Sequence, residues 1–379
     1  MPKKNIRKKS KVAKKKAVKK KILKKKAAPK VYKIDRLNAD KKEGESTIQS
    51  AKAIGKKLAD DPYTIEDGVS QSMLSGFFNC RLSCRYGLDG WRSPRLKDSL
   101  NYGSLYHDLL ENFFRGVMLE GYTLEDAKPF MNLFLETWLE HERSKDITNP
   151  RALQSSEVCA AQASATFLGY CEMWPDDFEP GRWIELEGVF EADFHGYLLR
   201  GRMDGLQRAG KKRKYYRLME HKTKARIEEE ALDRRLAFDF QNLFYLTALN
   251  CQLKTKGIDE LARVVYYDII RRPGQKFNPD KESLSDYSVR VKEDVAKRPD
   301  HYFKRSEIFY TAKDLERFQE ELLIKLQIFE RWLKDEEPTF KNEQACVAKW
   351  NCTFLDACAS AGNMSNYVQT GELFVELKD

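Results

Sequence analysis

No stretch of apolar residues approaches the roughly twenty that span a bilayer as a helix, and the N-terminus lacks the apolar core of a secretion signal. No membrane partner is expected, and the chain reads as soluble and cytoplasmic. No helicase motif is present, so any motor would come from a partner chain. The first 30 positions contain no acidic residue but hold 16 Lys or Arg. Removing them from the net charge of +10 leaves −6 for residues 31–379, so all the excess basicity lies in this tail. The 8 cysteines are not expected to form structural disulfides in a reducing compartment.

At 379 residues the chain exceeds a typical single domain, yet an α/β enzyme with helical additions reaches this size. Residues 1–30 have no packable apolar face and repel themselves, which predicts a disordered tail. Their charge suits a phosphate backbone, with affinity that falls steeply with salt. A nonspecific nucleic-acid tether is the favoured reading, and a solubility or localisation tail the alternative. Residues 31–68 read as a linker.

The most informative stretch runs from Tyr197 to Tyr245. YLLRGRMDGLQR alternates as a strand, with Leu198, Arg200, Arg202 and Asp204 on one face. The basic run opened by Gly210 signals a turn, and YYRLMEHK is the returning strand. Period two sets Glu220 and Lys222 on the same side of it. A hairpin register that faces Asp204 toward Glu220 brings two carboxylates and one ammonium to a single point. Convergent carboxylates repel unless a cation lies between them. Hard divalent ions suit oxygen ligands and keep waters that are a source of hydroxide for attack on phosphate. A lysine beside that water can lower its pKa or neutralise charge on the phosphate oxygens. The helix that follows carries Gln241 and Tyr245 four residues apart, on one side.

GRMDG, EHKTK and QNLFY together resemble motifs II and III and the Q-x-x-x-Y motif of the RecB-like branch of the PD-(D/E)XK nuclease superfamily. The resemblance implies cleavage of DNA with Mg2+ or Mn2+. It makes Asp204 and Glu220 metal ligands, Lys222 the catalytic lysine and the His221 carbonyl a further ligand. Gln241 and Tyr245 would flank the site and contact DNA.

Upstream, SQSMLSGFFNCRLSCRY spaces Met73, Leu74, Phe77 and Phe78 as one amphipathic helix, similar to the family's opening helix, with Cys80 at its cysteine. Arg81 stands where the family usually has proline. A second helix begins near Asn101 with Ser104 a candidate N-cap; its G-x-x-x-H resembles motif I, which would make His107 a metal ligand, with Glu111 a weaker candidate. Two more helices, 124–141 and 155–173, are expected to pack the core. Trp183–Phe194 reads as the first core strand; its acids Glu187 and Glu191 could approach the metals, but acids on a strand face usually point to solvent, and that is the expectation for both. ARVVYYDIIRRPG reads as a strand buried on both faces. Arg271 and Arg272 at its end either touch phosphate or mark a solvated terminus. Arg200, Arg202 and Lys224 are further candidates for guiding a DNA strand. Residues 274–305 read as polar, followed by a strand and a long helix started by Thr311 and Asp314.

Near the C-terminus Cys346, Cys352 and Cys358 stand close together, and clustered thiolates select zinc or iron–sulfur over Mg2+. In several RecB-like nucleases one cysteine before the core joins three after it on a 4Fe-4S cluster. The resemblance therefore implies Cys80, Cys346, Cys352 and Cys358 as cluster ligands, although the spacing departs from the commonest pattern and Cys84 could replace Cys80. Zinc, or ordinary buried thiols, are the alternatives.

The combined expectation is an α/β fold of the restriction-endonuclease type: a central mixed sheet flanked by helices, with a helical insertion before the core strands. The nuclease domain would span 69–365 and a short tail 366–379. The expected function is DNA hydrolysis, more exonuclease than endonuclease, in repair, recombination or phage DNA processing, with a helicase or recombination partner, in a bacterial or phage-infected cell. The alternatives are a catalytically silent DNA-binding relative and a lysine-tail protein that compacts nucleic acid.

Overall fold

In Trp183–Phe194 (β2) and Tyr197–Ala209 (β3) apolar and polar positions alternate well enough to build a long antiparallel hairpin, closed by His195 and Gly196. The computed structural model describes residues 62–369 apart from 94–97, 145–149, 180, 211–214, 228 and 348–351, together with 56–57 and 372–373. The lysine-rich segment 1–30, most of 31–68 and the basic turn after Gly210 fall outside these residues.

The hairpin is the frame of a six-stranded mixed sheet. Tyr215–Lys224 (β4) runs antiparallel to the end of β3, and the two-residue Val69–Ser70 (β1) runs parallel to its start. Val264–Arg271 (β5) is parallel to β4, and Phe303–Phe309 (β6) closes the edge antiparallel to β5. Leu199, Gly201 and Met203 are buried while Leu198, Arg200, Arg202 and Asp204 are half-buried, as a period of two requires. β5 is buried on both faces, which its β-branched and aromatic run demands.

Helices cover both faces. Gln71–Asn79 (α1) is followed by Arg81–Leu88 (α2), Asp98–Glu120 (α3), Leu124–Ser144 (α4) and Pro150–Met173 (α5), so a helical insertion does precede the core strands. The parallel step from β4 to β5 is made by Glu229–Leu236 (α6) and Phe240–Thr255 (α7), the crossover that parallel strands need. Leu284–Lys297 (α8) and Ala312–Leu333 (α9) are the other long helices among the described residues. One core, with Leu74, Phe77, Leu218, Phe244, Phe329 and Trp332, lies under α1, α7 and α9. A second, with Phe114, Phe130, Phe167, Met219, Tyr287 and Val291, lies under α3, α4, α5 and α8. Among the described residues no helix is long and apolar enough to cross a membrane.

Several local expectations need correction. The single helix expected over 70–86 is broken at Cys80, whose extended backbone (φ −162°, ψ 111°) ends α1 and starts α2. Phe78, within α1 itself, lies exposed instead of joining Leu74 and Phe77 in the core. α3 starts at Asp98, so Ser104 is interior and not its N-cap. The stretch 274–305 is not merely polar: Ser283 and Asp286 form a capping box that starts α8. Tyr287, Val291 and Val295, four apart, are its buried side. Apart from these corrections, Lys56–Lys57 pairs with Glu372–Leu373.

The C-terminal segment returns to the start of the domain. The Leu82 N–H donates to Phe340 O at 3.1 Å, Asn342 Nδ2 to Asn79 O at 2.8 Å and Gln369 Nε2 to Asp89 O at 2.9 Å. Arg81 pairs with Glu337 at 2.7 Å and is flanked by the rings of Phe77 and Phe340. Phe329, fully buried, meets Phe77 at 5.1 Å and Trp332 at 5.7 Å where this return begins. Phe329→Ala removes that contact and leaves a cavity, so a loss of about 3–5 kcal/mol is expected. Denaturant unfolding measures it, and a loss under about 1 kcal/mol would mean the site collapses around the gap.

Candidate active site

The β3–β4 ladder stops at Gly205 opposite Met219. One more step in that register would set Asp204 opposite Glu220. Instead the strands part, which frees the backbone N–H of His221, and Asp204 Oδ2 accepts it at 2.6 Å. A buried donor left unpaired is costly, so the fork itself holds the aspartate in place. Burial alone would raise the Asp204 pKa, but His107, Lys222 and the His221 N–H outweigh it and hold the carboxyl below its ordinary value.

Two further groups meet Asp204 from other elements. His107, on α3, places Nδ1 3.7 Å from Asp204 Oδ1 and 4.0 Å from Glu187 Oε1. Glu187 belongs to β2, where Leu186 pairs with Gly205 and Gly188 with Met203, so it stands across the ladder from Asp204. Ligand atoms of His107, Glu187 and Asp204 all lie within 4.8 Å of one another, a spacing and donor set that a divalent cation fits. Glu187 is buried, against the expectation that it faces solvent. Its backbone takes φ +46°, a left-handed value that breaks the strand's alternation and turns the side chain inward. Trp183 and Leu186, three apart, both enter the same core, a parity change that the strand's period of two does not foretell. Glu191, the other acid of the strand, is half-exposed and paired with Arg200 at 2.8 Å. Glu111 is paired with Arg115 at 2.7 Å and is not part of this group.

Glu220 takes a different partner. It contacts the Lys222 ammonium directly, and Gln241 Nε2 donates to Glu220 Oε1 at 2.8 Å while Gln241 Oε1 accepts from Lys222 Nζ at 3.1 Å. α7 can present Gln241 there because Asp239 caps the helix, accepting from the Asn242 N–H at 2.9 Å. Burial pushes the Glu220 carboxyl up to about 7; Lys222 opposes this and Asp204 adds to it. Burial would lower the Lys222 pKa, but Glu220 and Asp204 outweigh it and keep the amine protonated. Tyr245, one turn after Gln241, has its hydroxyl pKa raised by burial, with Glu220 and Asp204 adding to the effect. Gly201 makes room for it: a Cβ there would lie 2.5 Å from Phe190 and 3.2 Å from Tyr245.

A family model of the PD-(D/E)XK nuclease superfamily matches residues 68–359. The chain belongs to this superfamily. A comparison with curated proteins found no match. The mixed sheet between helices is the restriction-endonuclease-like fold, the superfamily is one of metal-dependent nucleases, and its His–Glu–Asp group is where this member can hold the ion.

The other candidates divide. Arg202 Nη1 is 3.9 Å from Glu187, and Lys224 Nζ is 3.5 Å from the Tyr267 hydroxyl. Arg271 lies 3.2 Å from His301, and Arg272 turns into the helical insertion, bonded to Gln162 at 2.9 Å and lying over Tyr102. Cys80 is buried, and Cys346, Cys352 and Cys358 are partly exposed. Burial raises the Cys358 pKa, and Cys352, Cys346 and Cys80 add to it, in that order, so the four thiols share one neighbourhood.

A carboxyl whose folded pKa lies above its unfolded value stabilises the fold below the unfolded pKa, and that contribution is lost as pH rises through the folded one. For Glu220 the window runs from about 4.5 to about 7. Glu220→Gln is therefore expected to raise the Tm of the metal-free protein at pH 8 and to leave it little changed at pH 4. Thermal unfolding in EDTA at both pH values checks this, and an equal shift at both would contradict it.

Proposed function

We propose that this superfamily member is a RecB-like deoxyribonuclease, an exonuclease in preference to an endonuclease, that uses Mg2+ or Mn2+ in DNA repair, recombination or phage DNA processing. The observation that carries the reading is the meeting of His107, Glu187 and Asp204 beside the Glu220–Lys222–Gln241 contact. His107, Glu187 and Asp204 would hold the cation, with Glu220 and the His221 carbonyl completing the set. A divalent ion there supplies Lewis acidity toward phosphate and lowers the pKa of water.

The side chains do the rest. Lys222 stays an ammonium and therefore stabilises negative charge growing on the phosphate oxygens; it does not act as a base. Gln241 fixes the Lys222 and Glu220 head groups relative to each other. Tyr245 backs the site, and Arg200 and Arg202, on the same half-buried row as Asp204, guide the DNA strand toward it. Lys224 and Arg271 extend the basic surface beyond the end of β4 and β5. The lysine-rich residues 1–30 act as a salt-sensitive tether to DNA. Unwinding is left to a helicase or recombination partner.

Cys80, Cys346, Cys352 and Cys358 are proposed to bind a 4Fe-4S cluster that ties the C-terminal segment to α1 and α2. Clustered thiolates suit zinc or iron–sulfur, and the order of one cysteine before the core and three after it favours the cluster.

Cleavage of end-labelled single- and double-stranded DNA with Mg2+, Mn2+ or EDTA tests the enzyme. Activity should vanish in EDTA and fall at least a hundredfold in Lys222→Ala; activity indifferent to both would remove the proposal. An anaerobic preparation should be brown and lose its visible absorbance in Cys352→Ser. Colourless, iron-free protein would reject the cluster alone.

A further inference from the structure

Behind the metal group, three charged or ionisable side chains stand side by side on adjacent strands. In the ladders His221 of β4 pairs with Asp268 of β5, and Asp268 with Arg305 of β6. His221 Nδ1 is 3.2 Å from Asp268 Oδ2, and Arg305 Nη2 is 2.9 Å from the same oxygen. The row continues into the helical insertion. Arg305 Nη2 donates to Asp177 Oδ2 at 2.8 Å and to the Tyr170 hydroxyl at 2.9 Å, and that hydroxyl donates to Asp177 at 2.7 Å. The side chains of Asp177 and Asp268 are 0% exposed and that of Arg305 is 7% exposed. The Phe114 ring stacks on His221 at 6.4 Å and the Tyr170 ring meets it edge-on at 6.0 Å.

Charges buried this deeply are a poor device for stability, because apolar side chains of the same volume pack as well without the desolvation cost. What such a row does supply is a fixed position. His221 needs one, because β3 has already left β4 at that point and its own backbone N–H is held by the Asp204 side chain. The same residue lies between Glu220 and Lys222 in sequence.

We propose that Tyr170, Asp177, Arg305, Asp268 and the His221 ring form a positioning row for the metal site. The row locks the His221 peptide, and through its N–H the Asp204 carboxylate, in the geometry that binds the cation. Tyr170, Asp177, Arg305 and Asp268 touch neither cation nor DNA; they act through the His221 peptide, whose carbonyl would face the cation and whose N–H holds Asp204. The inference rests on the nuclease reading for the use made of the ion, but its own readout is binding.

The test is Mn2+ titration followed by the electron-paramagnetic signal of the free ion, on wild type, Asp268→Asn, Tyr170→Phe and Leu326→Ala, with DNA cleavage measured alongside. Asp268→Asn is expected to weaken Mn2+ binding about ten- to a hundredfold, the usual effect of removing a partner behind a ligand. Tyr170→Phe, which deletes one hydroxyl, should weaken it about threefold. In both, kcat falls while KM for DNA holds. Leu326→Ala, in the core under α9, should unfold more easily yet bind Mn2+ as wild type does. Wild-type Mn2+ affinity in Asp268→Asn and Tyr170→Phe overturns the inference, and if Asp268→Asn fails to fold, Tyr170→Phe decides alone. Wild type that binds Mn2+ without cutting DNA removes the nuclease reading but leaves the binding comparison to decide this one; wild type that binds no Mn2+ overturns both.

Discussion

One hydrogen bond organises the site: the carboxylate of Asp204 accepting the His221 N–H at the point where two strands separate. It solves a backbone problem and a chemical one together. The parting strands need an acceptor for a donor they no longer satisfy, and a cation held there would need an oxygen at the fork. Because Asp204 fills the fork, its second oxygen is left to face His107. The bend in β2 at Glu187 adds an acid from the other side.

The rest of the charge is balanced around that bond. The acids split into two sets: Glu187 and Asp204 lie against His107, while Glu220 is held by Lys222 and Gln241. The chain thus carries a built-in cation, the Lys222 ammonium, next to acids that would otherwise repel. Removing a metal ion from such a site leaves it internally compensated, and the fold need not collapse with it.

How much of this could be read in advance depended on whether a feature has a period. Asp204, Glu220, Lys222 and the Gln241–Tyr245 pair sit in strands and a helix with regular alternation, so their faces and their common neighbourhood were legible. The hairpin register was legible to within the last rung, where a side chain replaces the ladder partner. Glu187 departs from expectation because a left-handed residue inside a strand has no periodic signature. The break at Cys80 leaves no mark in the sequence because the apolar spacing runs on through it. α8 has a capping box and a Tyr287–Val291–Val295 spacing, but its polar flanking residues mask them. Arg272 shows a further limit: sequence offered phosphate or solvent, and its guanidinium instead bonds Gln162 in the insertion.

The return of the C-terminal segment over α1 and α2 bears on how the molecule is made. Its bonds to Asn79 and Asp89 join residues 263 and 280 positions apart. Contacts so distant in sequence form late, since the intervening loop must close first. During synthesis α1 and α2 therefore emerge well before the segment that bonds to them. Surface exposed in such an interval is what chaperones shield.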